Sequence, residues 1–507
     1  MKHHLAAIFA GFGVMAALPF MVVKPAAAPV KSAPALTLSR ASAAQRSVNV
    51  TKLYDDTCSH CHGANGQGGG AGTKTLNTVE KFDQSYDALF FDSIKNGVKS
   101  MGMESYGATL SDEEIWSLVV HIREMQSRAL RQENGDPKAT NGVYHAKNQA
   151  FKIETVIPDR IGLKVPWAID WLPNGKMLIT NRPGKLFVAS PGKLETQVEG
   201  TPATVELGQG GMLDIAVHPD YAKNGWIYMS FTDPDPKNPL HSGFTKIVRG
   251  KLKFTGTRVS WIDQQTVWQA TPENYNGSGV HFGDRIVFDR KGHVFFTLGE
   301  RGNGPLAQDL TKPNGKVHRV NEDGTIPSDN PFADPTSKAK GYVPSTWSFG
   351  HRNPQGLVMG LDGVLWDTEH GPRGGDELNH ILPSHNYGWP LVAFSINYND
   401  SPLVTPWPKD GQNITLPVFR WLPSIAPCGL AVGPGTAFKL WRGDLFAGGL
   451  AGQTVERVRV RNDKVVEHEE LFHNLGRVRD VNFGPDGNLY VVLNDPDKVI
   501  RLVPVKD

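Results

Sequence analysis

The sequence predicts two domains, a small all-α domain followed by an all-β six-bladed propeller. The length of 507 residues, a C-x-x-C-H motif near the N-terminus and six recurring X-Gly turns predict this arrangement. The 54 Gly and 36 Pro favour short strands joined by tight turns over long helices. We predict a signal or anchor segment over 1–28, linkers over 29–45 and 129–150, the helical domain over 46–128 and the propeller over 151–507.

The N-terminus has the pattern of a secretory signal. Lys2, His3 and His4 precede an apolar run over residues 5–23, and small residues follow at 26–28. We therefore expect an exported protein, periplasmic in a bacterium. The apolar run is also long enough for an uncleaved membrane anchor, which stays the alternative.

Charge and cysteine content exclude two classes of protein. Lys and Arg total 53 against 51 Asp and Glu, so the basic excess of a nucleic-acid-binding protein is missing. Three Cys cannot build a scaffold of several disulfides. We expect no nucleic-acid partner, and any membrane contact should come through the N-terminal segment alone.

The motif at 58–62 indicates covalently attached haem c. Cys58 and Cys61 have the spacing that lets two thiols bond to the two vinyl groups of one haem, and His62 then lies beside the iron as an axial ligand. A disulfide or a redox-active C-x-x-C is the alternative. The histidine that follows the second cysteine and the exported context favour haem.

A second axial ligand is expected after residue 94. Met103 and Met101 are both candidates, ahead of a helix that Ser111 and Glu114 would open with a capping box. This stretch resembles the methionine loop and C-terminal helix of small class I cytochromes c, and the resemblance assigns Met103. The predicted apolar face of the helix consists of Ile115, Leu118, Val119 and Ile122.

Beyond residue 150 one pattern recurs: an apolar strand, an X-Gly turn and a second apolar strand. Asn-Gly and Asp-Gly pairs favour two-residue hairpin turns in which both central residues have positive φ. A β-sandwich would account for one or two hairpins, whereas six favour a six-bladed propeller. The Gly residues of the turns are Gly175, Gly225, Gly292, Gly363, Gly443 and Gly487.

Polar motifs between the hairpins concentrate groups that suit an anionic ligand rich in carbonyl oxygens. Arginine side chains bind carboxylates with paired hydrogen bonds, so several of them on one face would suit a polycarboxylate. Each motif alone is equally compatible with a surface turn. The motifs lie at 208–211, 279–283, 350–356, 369–372, 375–377, 386–389 and 477–480.

Together these motifs resemble the glucose/sorbosone dehydrogenase family over roughly residues 160–505. The G-H-R-N-P-Q-G-L string at 350–357 and the G-P-x-x-x-D-E…N-Y-G-W-P series at 371–390 are the most specific parts. The resemblance implies a six-bladed propeller that holds pyrroloquinoline quinone (PQQ) and Ca²⁺.

The resemblance also implies roles for single residues. His281 matches the catalytic base, and Arg352 is expected to act beside it. Gly371 and Pro372 match carbonyl ligands of the Ca²⁺ that touches the quinone. Glu377 and Tyr387 fall where the family binds a second Ca²⁺. The implied quinone contacts are Gln209, Arg352, Asn353, His370, Arg477 and Arg479.

Three positions depart from the glucose dehydrogenase pattern. Ala451 stands near the place of a lysine that binds the quinone, Val280 replaces an acid before His281, and His370 replaces a glutamine. The expected consequence is weaker retention of the quinone.

These observations predict an enzyme that oxidises an aldose or a sugar aldehyde. Imidazole is suited to accept a proton near neutral pH, and a guanidinium with Ca²⁺ would stabilise negative charge on a quinone oxygen. Electrons would pass to the haem and then to a soluble cytochrome, a quinone or a terminal oxidase. A non-catalytic sugar-binding propeller with a relay cytochrome and a Ca²⁺-dependent lactonase are the alternatives.

Other chemistries lack their motifs. No G-x-G-x-x-G opens a helix after a strand, since the glycines at 66–70 follow the haem motif directly. Residues 277–279 are not the G-x-S-x-G turn of a serine hydrolase. Cys428 is expected to be a small buried residue.

Overall fold

The computed structural model describes residues 48–70 and 73–505, and these residues belong to one compact unit. The predicted signal or anchor at 1–28 and the linker at 29–45 lie outside the described residues. Within the described part of the chain, no helix is long and apolar enough to cross a membrane.

The N-terminal domain is helical, as predicted. Its last helix begins at the predicted capping box, in which Ser111 Oγ accepts from the Glu114 N–H at 3.2 Å and Glu114 Oε2 accepts from the Ser111 N–H at 2.8 Å. Its helices are α1 (Val50–Thr57), α2 (Ser59–His62), α3 (Val79–Phe82), α4 (Tyr86–Asn96) and α5 (Asp112–Asn134), with a 3₁₀ turn at Lys99–Met101.

The segment predicted as a linker is partly regular structure. Helix α5 continues to Asn134 because residues 129–133 are good helix formers, and it stops before Gly135, whose φ is +73°. Tyr144 then pairs with Phe151 at the edge of a sheet. The irregular part of the predicted linker is therefore shorter than 129–150.

The rest of the chain is mostly β-sheet. Two short helices interrupt it, α6 (Tyr221–Asn224) and α7 (Pro335–Ala339). The strands are β1 (Tyr144–His145), β2 (Ala150–Ile157), β3 (Pro166–Trp171), β4 (Met177–Asn181), β5 (Lys185–Ser190), β6 (Lys193–Glu199), β7 (Met212–Val217), β8 (Ile227–Pro234), β9 (Gly243–Thr255), β10 (Arg258–Gln269), β11 (Ile286–Phe288), β12 (His293–Leu298), β13 (Lys316–Asn321), β14 (Thr346–Phe349), β15 (Pro354–Met359), β16 (Leu365–Glu369), β17 (Asp376–His380), β18 (Phe419–Trp421), β19 (Pro427–Val432), β20 (Leu445–Gly449), β21 (Thr454–Arg461), β22 (Lys464–Glu470), β23 (Arg477–Phe483), β24 (Leu489–Asn494) and β25 (Lys498–Pro504).

The described strands pair into five sheets, so strand pairing does not confirm the predicted count of six blades. Their orders are β1-β2-β25-β24-β23, β3-β4-β5-β6-β10-β9-β8-β7, β11-β12-β13-β14, β15-β16-β17-β18 and β19-β20-β21-β22. The eight-stranded sheet consists of two antiparallel halves joined by a short parallel pairing of β6 with β10. Strands β3, β7, β11, β15, β19 and β23 contact one another in sequence, and β23 contacts β3.

Each predicted Gly turn joins two neighbouring antiparallel strands, but the expected turn type is wrong. The connection between β3 and β4 spans residues 172–176, and the one between β15 and β16 spans 360–364. Gly175 and Gly363 have positive φ, whereas Asn174 and Asp362 do not. A longer loop needs only one left-handed residue, and glycine supplies it.

The polar motifs lie at the opposite end of the sheets from these turns. In an antiparallel pair, the start of the first strand and the end of the second meet at one end. Arg352 precedes β15, and His370 follows its partner β16. In the same way His281 precedes β11, and Glu300 follows its partner β12. Trp167, near the start of β3, packs at this end with apolar residues from both halves of the eight-stranded sheet.

Candidate active site

His281 lies on a tightly held loop before β11. Its φ is +52°, a left-handed conformation that is uncommon for a residue with a side chain. Its Nδ1 lies 2.8 Å from Glu300 Oε1, and its backbone N–H donates to Gln209 Oε1 at 2.9 Å. The His281 side chain is 12% exposed and Glu300 is 3% exposed. The ring is thus oriented by a carboxylate and still reaches the surface.

Glu300 and Arg301 are site residues that the sequence analysis missed. Arg301 donates to the carbonyls of Val280 at 3.1 Å and Ser278, and its guanidinium lies 3.8 Å from the centre of the Phe282 ring. Burial lowers the pKa of Arg301 to about 9. Both residues directly follow β12, and polar residues at the end of a buried strand were the available signal.

Arg352 and Asn353 lie beside this loop. Asn353 Oδ1 accepts from the Gly283 N–H at 3.2 Å, and the Arg352 carbonyl accepts from the Glu300 N–H at 2.9 Å. Arg352 Nη1 donates to the carbonyls of His370 at 3.3 Å and Gly371 at 3.2 Å. Arg352 Nε and Asn353 Nδ2 are buried donors without a partner among the described residues. Such donors suit a ligand with acceptor oxygens.

His370 is held as a neutral side chain. Its Nε2 lies 2.7 Å from the carbonyl of Pro427, so this nitrogen carries the hydrogen. Burial, followed by the nearby Arg352, lowers the pKa of His370 to about 3. His370 therefore binds a proton less readily than an ordinary histidine, and we conclude that it shapes the site.

The two predicted arginines of β23 close the same end of the sheets. Arg479 Nε donates to Asn494 Oδ1 at 3.2 Å, and its Nη1 lies 3.7 Å from Sγ of Cys428, the residue after Pro427. Cys428 is fully buried, as predicted. Arg477 begins the strand and is partly exposed. Arg479 thus contacts Cys428, the neighbour of the residue that accepts from His370, and Arg477 lies at the same end of the sheets.

The predicted Ca²⁺ ligands line a small cavity of about 20 Å³. Gly371, Pro372, Glu377 and Tyr387 all line it, together with Arg352. The Tyr387 hydroxyl donates to the carbonyl of His380 and accepts from the Leu382 N–H, so its backbone oxygen is the atom left for a metal.

The cavity adjoins two further buried carboxyl groups. Glu369 belongs to the predicted polar motif 369–372 but had no predicted metal role, and Asp367 was missed. His351, Asp367 and Glu369 place ligand atoms within 4.8 Å of one another, and neither oxygen of Asp367 accepts a hydrogen bond from the described residues. Burial, and then Glu369, raise the pKa of both Asp367 and Glu377 well above the usual range. A cation bound to these carboxylate oxygens would stabilise their ionised form. Ca²⁺ prefers oxygen ligands of this kind.

Asp376, in the motif 375–377, already has hydrogen-bond donors at both carboxylate oxygens. Its Oδ1 accepts from the Gly371 N–H at 2.9 Å, and its Oδ2 accepts from the Ile425 and Ala426 N–H groups at 2.9 and 2.8 Å. It fixes the loop that carries Gly371. Ala451, near the place of the missing lysine, lies exposed in a turn after β20.

The haem residues converge in the helical domain. Cys58 lies between α1 and α2, Cys61 is exposed within α2, and His62 ends α2. Met103 packs with Cys58 in one apolar cluster, whereas Met101 is 77% exposed. Nδ1 of His62 is buried without a partner, and burial lowers the pKa of this imidazole. These residues fit one haem, and Met103 is better placed than Met101.

Fold and site define a mostly β-sheet dehydrogenase domain joined to a cytochrome c domain. A model of the glucose/sorbosone dehydrogenase family matches residues 163–501. A model described as cytochrome c oxidase, cbb3-type, subunit III matches residues 48–122. The chain belongs to the glucose/sorbosone dehydrogenase family, which confirms the predicted resemblance.

Three similar proteins illustrate the relationship. An aldose sugar dehydrogenase of Escherichia coli is 39% identical over 336 residues, 65% of this chain and 87% of that protein. Quinoprotein glucose dehydrogenase B of Acinetobacter calcoaceticus is 26% identical over 430 residues, 69% of this chain and 86% of that protein. The PQQ-bound form of an aldose sugar dehydrogenase from Streptomyces coelicolor has a TM-score of 0.54 and 25% identity, covering 70% of this chain and 98% of that one.

Proposed function

We propose that this protein is an exported PQQ-dependent dehydrogenase that oxidises an aldose or a sugar aldehyde and passes the electrons to its own haem c. The single observation that carries the proposal is the pairing of His281 with Glu300 at 2.8 Å, beside the unpartnered donors of Arg352 and Asn353. A proton acceptor thereby lies next to a set of donors for an oxygen-rich cofactor. The PQQ-bound state of a similar enzyme supports the choice of cofactor.

The tautomer of His281 follows from its partner. The Glu300 carboxylate accepts from Nδ1, so Nδ1 carries the hydrogen and Nε2 keeps its lone pair. Nε2 is the atom that takes the proton from the C1 hydroxyl of a sugar lactol or from a hydrated aldehyde. Glu300 stabilises the imidazolium that results.

PQQ, when bound, supplies the acceptor for the hydride that leaves the sugar carbon. Arg352 and Asn353 would bind its oxygens, and Gln209 fixes the backbone of His281. Arg477 and Arg479 carry positive charge to the same end of the sheets, where carboxylates of a quinone would lie.

The proposal includes ligands for Ca²⁺ and for haem c. The carbonyls of Gly371 and Pro372 would hold one Ca²⁺ at the quinone, and Glu377 with Tyr387 a second. Cys58 and Cys61 would bind haem c with His62 and Met103 on the iron. An external one-electron acceptor would then reoxidise the haem.

We also infer that the dehydrogenase domain has six blades. The two halves of the eight-stranded sheet each carry one Gly turn, and strands β3, β7, β11, β15, β19 and β23 contact one another in a ring.

Mixing the purified haem-containing protein with sugars, with and without added PQQ and Ca²⁺, tests the proposal. We expect the absorption of reduced haem to appear only when PQQ and an aldose are both present. Sugar binding without haem reduction would instead identify a sugar-binding propeller. Hydrolysis of a sugar lactone without PQQ would identify a lactonase.

A further inference from the structure

Helix α5 is buried on two faces. Ile115 and Val119, on the predicted face, are fully buried in one apolar cluster with Val50 of α1 and Phe91 of α4. Trp116, Val120 and Glu124 follow one another at four-residue intervals and form a second row along the helix. Trp116 is 1% exposed, Val120 is fully buried and the Glu124 side chain is 12% exposed.

The dehydrogenase domain covers this second face. The Trp116 ring meets Phe394 and Trp407 edge-on, with ring centres 5.9 and 5.4 Å apart. The Glu124 carboxylate accepts from Nε and Nη2 of Arg373, both at 3.0 Å. Such a two-bond pair fixes orientation as well as distance. Arg373 is also paired with Asp400, whose carbonyl accepts from the first residue of α1 at 2.9 Å.

A second ion pair joins the domains next to the first. Asp87 of α4 accepts from Arg420 Nε at 2.9 Å and from Arg123 Nε at 2.6 Å. The Asp87 side chain is 5% exposed and that of Arg420 is 15% exposed. Arg420 stands opposite Glu377 in the pairing of β17 with β18. The contact between the domains thus involves Arg373, which follows Pro372, and Arg420, which pairs with Glu377 across the strands.

Two short segments of the dehydrogenase domain, 372–373 and 393–394, separate the cytochrome domain from the site and together are called the wall. Pro372 and Ala393 line the cavity beside Arg352. The residues that follow them, Arg373 and Phe394, hold Glu124 and Trp116 of the cytochrome domain. The wall therefore faces the cavity of the predicted Ca²⁺ ligands on one side and helix α5 on the other.

We propose that the pairing of Arg373 with Glu124 holds the cytochrome domain against this wall, and that electrons cross here from the sugar-oxidising site to the haem. Arg373 is a positioning residue. The inference rests on the proposed function: each sugar oxidised leaves two electrons at the site, and its two protons go to solvent through His281 and the cofactor. The electrons cross one at a time, each reducing ferric haem iron to ferrous, and an external one-electron acceptor takes the first before the second crosses.

Charge reversal on the cytochrome side tests the inference without altering the site. Glu124→Lys places a cation against Arg373, and Glu133→Lys makes the same change at an exposed position of the same helix. The double variant Glu124→Lys with Arg373→Glu exchanges the two charges. Three quantities are measured on the full haem-containing chain: hydrogen exchange of residues 394–407 and of α5, the rate of haem reduction by excess sugar with PQQ and Ca²⁺, and sugar oxidation with a small dye as acceptor.

We expect Glu124→Lys to lower exchange protection at the interface by about tenfold or more, the effect of losing a close charge pair. Haem reduction should slow, while dye-linked oxidation stays within about twofold. Glu133→Lys should resemble the wild type. The double variant should recover protection and haem reduction in part, because Arg373→Glu restores the pair but places a carboxylate beside Asp400. Wild-type exchange and haem reduction in Glu124→Lys would overturn the inference. Absence of dye-linked oxidation in the wild type would instead refute the proposed function, and exchange would still report on the docking.

Discussion

Nδ1 of His281 lies 2.8 Å from Oε1 of Glu300, and the second carboxylate oxygen of Glu300 accepts from the Asn303 N–H at 2.8 Å. The carboxylate is therefore fixed at both oxygens, and it fixes the imidazole in turn. His281 itself has a left-handed backbone. The orientation of the ring thus depends on a residue that the sequence motif around His281 does not contain.

The first prediction concerns this pair. His281→Ala should keep haem and PQQ but lose sugar-driven haem reduction by on the order of 10²–10⁴-fold, the usual contribution of a positioned general base. Glu300→Gln should lose less, up to about 10²-fold, because the ring remains but its orientation loosens. Stopped-flow haem reduction measures both, with quinone content determined separately. Near-normal rates in His281→Ala at full quinone occupancy would show that another group accepts the proton.

The second prediction concerns haem attachment. Cys58→Ala or Cys61→Ala should prevent normal attachment through two thioether bonds, because each thiol forms one of them. Haem staining after denaturing electrophoresis measures this. Met103→Ala should remove the weak sulfur-to-iron absorption band and leave attachment intact. Met101→Ala is the matched control, and loss of the band in that variant alone would reverse the assignment.

The third prediction concerns Ca²⁺. Added Ca²⁺ should raise the Tm of the chelator-treated wild type, since a ligand at about 100 times its Kd contributes about 2.7 kcal/mol. Glu377→Gln should lose most of this increase, because a buried carboxylate of the cavity is removed. Glu154→Gln is the control, since Glu154 forms an exposed ion pair with Arg501. An equal increase in the Glu377 variant would place the ion elsewhere.

The fourth prediction concerns acid stability. Burial lowers the pKa of His318 from its ordinary 6.5 to about 3. Below pH 6.5 the unfolded chain binds a proton that the folded chain excludes, so stability falls as the pH falls. Between pH 6.5 and about pH 5 the loss should be about 2 kcal/mol.

Urea unfolding across this pH range measures the effect. His318→Gln should flatten the pH dependence of stability by that amount, even if it lowers stability at neutral pH. His145→Gln, at an exposed position, should leave the slope unchanged. A variant of His318 with the slope of the wild type would show that other groups carry the acid sensitivity.

Short-range signals made much of the fold predictable. The haem motif, the capping box at Ser111 and the Gly turns each depend on residues within a few positions of one another. The linker was predicted to begin at residue 129, but α5 continues to Asn134 because residues 129–133 are good helix formers. The turn type was wrong because a single glycine with positive φ also suits longer loops.

Contacts between distant residues were not predictable in this way. Glu300 meets His281 only because β11 and β12 are paired. Asp367 became a candidate metal ligand only when the structure showed it buried beside Glu369. Arg373 and Glu124 are 249 positions apart. Trp116 and Val120 lay outside the one apolar face predicted for α5, and nothing local says which distant segment covers them.

The pairing of β2 with β25 has a consequence for how the chain is made. Phe151 lies opposite Pro504, and among the described strands the other neighbour of β2 is the two-residue β1. As translation proceeds from the N-terminus, β2 emerges long before its main partner exists. The helical domain can fold early, but β2 must wait until β25 has been made. Until then the edge of β2 stays open to other chains, so a ribosome that stalls before residue 498 releases an aggregation-prone product.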